Sequence, residues 1–215
     1  APFKAERILK LLRRNKLPLG TICEVGCGSG KILVQLAAQL PDSQFTGYDI
    51  SQDAIAIASR KQTNRIRFEL HDLTQPTPAA PFDLLLVIDV IEHLNNYFEF
   101  LAGIADKSTY TLFHIPLDMS VWSLLREQML IESKQRVGHI HAFTEDFIVS
   151  MLEDYGFEVV DRLYTEPVHK RKTVKNQIAD VLRTVLYAIS PKFCTKTLGG
   201  YSLLVLTKNK VQVKS

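Results

Sequence analysis

Three glycines at alternate positions, Gly26, Gly28 and Gly30, lie in the run Glu24-Val25-Gly26-Cys27-Gly28-Ser29-Gly30, between an apolar stretch and an amphipathic one. Residues without a Cβ accept strained backbone angles and let a ligand press against the main chain, while a helix that follows presents unpaired N–H groups. The chemistry this suits is the cradling of a nucleotide-like ligand. Spacing narrows the choice. A dinucleotide fingerprint reads G-x-G-x-x-G, but here the third glycine comes one residue early and Lys31 stands in the last glycine's place. A phosphate-binding P-loop fails twice, at Val25 and at Ile32.

Acidic residues recur where later strands should end. Asp49 lies 19 positions after Gly30, close to the interval at which a carboxylate accepts from both ribose hydroxyls, and capping beside Ser51 is compatible with that role. Asp72 can accept from an adenine amino group while the Leu73 N–H donates to the ring. For proton transfer, His93, His114, His139 and His141 are the candidates, with His93 and His141 preferred as catalytic residues. Asp89, Glu92 and His93 stand at i, i+3 and i+4, which a helix would bring to one face, and His139 or His141 could complete a ligand set. The sequence reading nonetheless assigns no metal. Cys27 is read as a small residue that fits the turn rather than as a nucleophile.

These residues need a scaffold. Apolar Leu19–Val25, Gln44–Ile50, Arg65–Leu70 and the nearly continuous run Phe82–Ile88 read as strands, separated by helices at Lys31–Leu40 and Ser51–Gln62. A helix at Tyr97–Asp106, a strand at Tyr110–Ile115, a helix at Thr144–Tyr155 with Thr144 as N-cap, and strands at Phe157–Leu163 and Tyr201–Thr207 complete the pattern, after an opening helix at Pro2–Asn15. The order predicts one α/β domain over residues 1–215, with helices on both faces of an open parallel sheet. Two excursions, 117–143 after the fifth strand and 166–199 between the last two, are expected to shape a second ligand's site.

The 215 residues, 46% of them hydrophobic, suffice for one sizeable core. Residues 166–215 carry ten Lys or Arg against Glu166 and Asp180, whereas the preceding residues carry 16 against 21 acids. Lys170, Arg171, Lys172 and Lys175 could meet phosphates. Val174, Ile178, Val181, Leu182, Val185 and Ile189 instead mark the apolar stripe of an amphipathic helix, suited to covering the core with its lysines solvated, to closing over an acceptor or to resting on a membrane surface. Three cysteines without a C-x-x-C pair point to a reducing compartment, and no run approaches the roughly 20 apolar residues of a membrane span, so a soluble, cytoplasmic protein is expected.

The successive motifs Glu24–Gly30, Gly47-Tyr48-Asp49-Ile50-Ser51, His71-Asp72-Leu73 and Asp89-Val90-Ile91-Glu92-His93-Leu94 resemble those of class I S-adenosylmethionine-dependent methyltransferases, the group that includes quinone-biosynthesis methyltransferases. Gly138–Thr144, leading into a helix that ends at Tyr155-Gly156-Phe157, is similar as well. The resemblance implies a Rossmann-like sheet of seven strands whose last strand runs antiparallel between the fifth and sixth. It implies that Glu24 and the main chain of Gly26, Cys27, Gly28 and Gly30 face the methionine part of S-adenosyl-L-methionine. Asp49 would take the ribose, Ile50 the adenine face, and Asp72 and Leu73 the adenine edge, with main-chain oxygen around Asp89 and Val90 holding the methionine amino group. The expected activity is methyl transfer to an oxygen of a small-molecule or lipid- or sugar-linked metabolite. Rival expectations are an RNA 2′-O-methyltransferase-like enzyme with a carboxylate and histidine metal site, a nicotinamide-dependent oxidoreductase, and a non-catalytic cofactor-binding scaffold.

Overall fold

The computed structural model describes residues 2–76, 81–166 and 174–210, the helix residues 174–180 by backbone alone. Seven strands form one sheet in the order β3-β2-β1-β4-β5-β7-β6. They are β1 (Thr21–Val25), β2 (Gln44–Asp49), β3 (Ile66–Leu70), β4 (Phe82–Ile88), β5 (Ser108–Pro116), β6 (Phe157–Thr165) and β7 (Ser202–Asn209). Strands β1 to β5 pair in parallel, and β7 lies antiparallel between β5 and β6, with Phe113 opposite Val205 and Leu163 opposite Leu204. The expected Rossmann-like architecture is the observed one.

The period-2 alternation of β4 explains why two helical layers are needed. Leu84, Leu86 and Ile88 pack on one face with α1 (Pro2–Asn15), α2 (Lys31–Ala37) and α3 (Gln52–Ala58). Leu85 and Val87 pack on the other with α4 (Tyr97–Ile104) and α7 (Glu145–Asp154). Ser51 caps α3, its hydroxyl accepting from the Ala54 N–H at 3.2 Å. Thr144 occupies the N-cap of α7 but makes no side-chain cap bond, in contrast to the expectation.

Both excursions carry helices. Between β5 and β6 lie α5 (Val121–Leu124) and α6 (Gln128–Val137); between β6 and β7 lie α8 (Val174–Ile189) and α9 (Pro191–Thr197). Val181, Leu182, Val185 and Ile189 are exposed on α8, so this part of the stripe does not cover the core. Lys170, Arg171 and Lys172 and the side chains of Val174, Lys175 and Ile178 lie outside the described residues. Among the described residues no helix is long and apolar enough to cross a membrane.

Candidate functional site

The turn after β1 holds Gly26, Gly28 and Gly30 at φ of 67°, 52° and 71°, backbone angles that favour glycine. A Cβ on Gly30 would lie 2.3 Å from the Phe68 ring, whereas a Cβ on Gly28 would meet nothing within 4 Å. Gly30 therefore serves packing, and Gly28 leaves open space over the turn. The Gly28 N–H donates to Asp49 Oδ2 at 2.7 Å, and the Ser51 N–H donates to Asp49 Oδ1 at 2.8 Å. Asp49 thus ties two strand ends together, and each carboxylate oxygen keeps acceptor capacity.

A cavity of about 290 Å³ opens at these strand tips, lined among others by Gly26, Asp49, Ile50, Asp72, Leu73 and Val90. Six of the eleven residues expected at the cofactor therefore share one wall system. Ile50 is 76% exposed, an apolar face left uncovered, while Leu73 is fully buried. Asp72 Oδ1 accepts from the Thr74 N–H and hydroxyl. Cys27 is buried, and burial with Glu24 nearby pushes its thiol up to about 12, so it is inert as a nucleophile.

Glu24 is almost fully buried, and its Oε2 has no hydrogen-bond partner among the described residues. Desolvation, reinforced by Asp49, raises its carboxyl to about 8. Asp89 sits at φ 53° and turns its side chain away from the cavity, to the Lys4 ammonium of α1 and to His114 Nδ1. His114 Nε2 accepts from the Thr165 hydroxyl at 2.9 Å, and burial lowers its proton affinity to about 3. His114 is therefore a neutral internal strut, not the base that the sequence allowed.

The helical i, i+3, i+4 reading of Asp89, Glu92 and His93 is corrected. Ile91–His93 forms a single 3-10 turn, and the left-handed Asp89 preceding it breaks the register. Glu92 and His93 instead meet His139, whose segment is clipped to the turn by the Ile140 N–H donating to the Glu92 carbonyl at 2.9 Å. His141 packs edge-on against Tyr97 at 4.8 Å, its Nε2–H donating to the Leu94 carbonyl at 2.9 Å.

Sequence reasoning missed Lys4, Thr74, Asn95, Asn96, Glu99 and Phe100. The last five line the cavity. The one readable signal was Asn96, the N-cap of α4, two residues after Leu94 of the Glu92-His93-Leu94 motif.

The chain's residues 2–162 match the family model described as a methyltransferase domain. The chain belongs to this methyltransferase domain family. The methyltransferase has the class I fold, and S-adenosylmethionine is the donor that fold and family imply. The cradle fits that donor: Gly28 leaves room above the turn, and the buried Glu24 Oε2, without a hydrogen-bond partner among the described residues, suits an ammonium group. N-methyltransferase NodS from Bradyrhizobium japonicum WM9, in complex with S-adenosyl-L-homocysteine, shares the fold at 19% identity and TM-score 0.61, over 97% of this chain and 88% of that one. Malonyl-[acyl-carrier protein] O-methyltransferase of Bacillus cereus is 29% identical over 46% of this chain and 38% of its own length. Ajmaline N-methyltransferase of Rauvolfia serpentina is 30% identical over 53% and 41%. The chain spans less than half the length of the curated relatives it matches.

Proposed function

We propose that this domain transfers a methyl group from S-adenosylmethionine to an oxygen of a small-molecule or lipid- or sugar-linked acceptor. The observation that carries the reading is the cavity at the tips of β1 to β4, where Asp49, the glycine turn and Asp72 surround one space. When bound, the donor supplies an electrophilic methyl carbon on a sulfonium sulfur that leaves as a neutral thioether. The residues need only hold and orient. In this reading Asp49 accepts the ribose hydroxyls, Asp72 and Leu73 take the adenine edge, Ile50 covers its face, and Glu24 with the Asp89–Val90 main chain receives the amino group.

Alignment of an acceptor behind the methyl carbon is worth roughly 7–11 kcal/mol, against about 3–5 kcal/mol for a general base. Positioning therefore dominates. In this reading His93, held through Nδ1 by the Gly138 carbonyl, and His141, held through Nε2 by the Leu94 carbonyl, offer their other ring nitrogens on the acceptor side. The relatives named above include an O-methyltransferase beside N-methyltransferases, so oxygen is our own choice among them, and the exposed apolar face of α8 supports a lipid-linked acceptor or a peripheral membrane contact.

Calorimetry with S-adenosylhomocysteine tests the donor half, with one-site binding expected. Transfer of labelled methyl across a panel of hydroxyl, amine and carbon acceptors tests the other half. Labelling confined to amines would overturn the oxygen assignment.

A further inference from the structure

The turn Ile91–His93 and the segment after α6 bring three potential ligands together. One oxygen of Glu92 and one ring nitrogen each of His93 and His139 lie within 4.8 Å of one another. Glu92 is fully buried, and neither of its carboxylate oxygens has a hydrogen-bond partner among the described residues. An unpartnered carboxylate in such surroundings is costly unless something neutralises it.

The two histidines are oriented from behind. His139 Nδ1–H donates to Asp118 Oδ2 at 2.6 Å, and the same carboxylate oxygen accepts from the Ser133 hydroxyl at 3.2 Å. His93 Nδ1–H donates to the Gly138 carbonyl at 3.0 Å. Each bond fixes the tautomer that leaves Nε2 with its lone pair bare. His139 Nε2 then stands 4.0 Å from Glu92 Oε1. A ring whose second nitrogen is held by a carboxylate or carbonyl is the arrangement that metal-bound histidines show. Asp89, which the sequence spacing would have included, is absent from the set because its carboxylate is bound to Lys4 and His114.

We propose that Glu92, His93 and His139 hold a divalent first-row transition cation, with Asp118 as the positioning residue behind His139. Two imidazoles and one carboxylate suit manganese, cobalt, iron or zinc better than magnesium or calcium. Bonds of about 2.1 Å set ligand separations near 3–3.5 Å, so the side chains must rotate inward by roughly half an ångström each. Three protein ligands leave coordination positions open. Resting on the methyl-transfer reading, these positions take the acceptor's oxygen, because residues 90 and 94, on either side of the turn, line the donor cavity. The cation favours loss of the hydroxyl proton to solvent; the oxygen's electron pair then forms the C–O bond while the C–S pair stays on sulfur. His93 is thereby a ligand, and His141 alone remains as a free acceptor-side imidazole.

The test is a titration of the chelator-treated, desalted full chain with Co²⁺, read by visible d–d absorbance and by calorimetry, alongside S-adenosylhomocysteine on the same sample. One Co²⁺ per chain is expected, with affinity falling at least tenfold in Glu92→Gln and in His139→Gln and 10- to 100-fold in Asp118→Asn. Unchanged S-adenosylhomocysteine affinity in these variants certifies their folding. Absence of binding up to millimolar Co²⁺, or binding undiminished in both Glu92→Gln and His139→Gln, overturns the cation site. Cobalt bound by a chain that ignores S-adenosylhomocysteine overturns the methyl-transfer reading instead.

Discussion

Gly28 and Asp49 are joined by a 2.7 Å bond from the main-chain N–H of one to the carboxylate of the other, which ties the glycine turn after β1 to the tip of β2. The same carboxylate faces the cavity, which makes it both a strut of the cradle and a surface of it.

Asp49→Ala removes both roles. S-adenosylhomocysteine affinity measured by calorimetry should fall at least tenfold, about 1.4 kcal/mol. Asp49→Asn keeps one acceptor oxygen and should fall between the two. Wild-type affinity in Asp49→Ala would refute the ribose assignment.

The glycines should respond unequally. Gly30→Ala forces a Cβ into the Phe68 ring at a left-handed φ, and should cost roughly 2–4 kcal/mol in denaturant unfolding. Gly28→Ala meets open space and should cost about 1 kcal/mol from backbone strain alone. Equal losses at the two positions would contradict the packing assigned to Gly30.

Glu24 gives the free chain a pH dependence. Its carboxyl is raised to about 8 by burial, above the ordinary 4.5, so the folded state binds the extra proton in that window. This contribution to stability is fully present below about pH 4.5 and is lost as pH rises through 8, at a slope approaching 1.4 kcal/mol per unit, roughly. An ammonium docked on Glu24 favours the ionised form. Binding of S-adenosylhomocysteine at pH 7 should then release a proton, seen as a dependence of the calorimetric heat on the buffer's ionisation enthalpy. Glu24→Gln should abolish the release.

His141→Phe preserves the ring contact with Tyr97 while deleting both nitrogens. The turnover rate should fall at least tenfold with S-adenosylhomocysteine affinity unchanged. A KM rise at constant turnover would mark His141 as a support for Leu94 and nothing more.

Much of the frame was legible because it rests on local patterns. Strand β4 announced itself through an apolar run interrupted only by Asp83, and Gly26, Gly28 and Gly30 through their spacing. The placement of Asp49 and Asp72 followed from where strands stop. The Glu92 corner was legible in composition but not in geometry. Helical spacing grouped it with Asp89, whereas the left-handed backbone at Asp89 sends that side chain to Lys4, 85 positions earlier. His139 arrives from an excursion whose path no periodicity encodes, and its partner Asp118 lies 21 positions before it. Contacts of this kind depend on the assembled sheet, which a linear pattern does not contain.

The interleaving of β7 between β5 and β6 has a consequence for the chain as it emerges from the ribosome. Residues 108–165 are complete before the strand that joins their two edges, 202–209, has been made. Until then the inner edges of β5 and β6 are open to pairing with other polypeptides. A nascent chain stalled before residue 202 should be far more prone to aggregate than one released after residue 209, and synthesis rate across α8 and α9 becomes a determinant of yield.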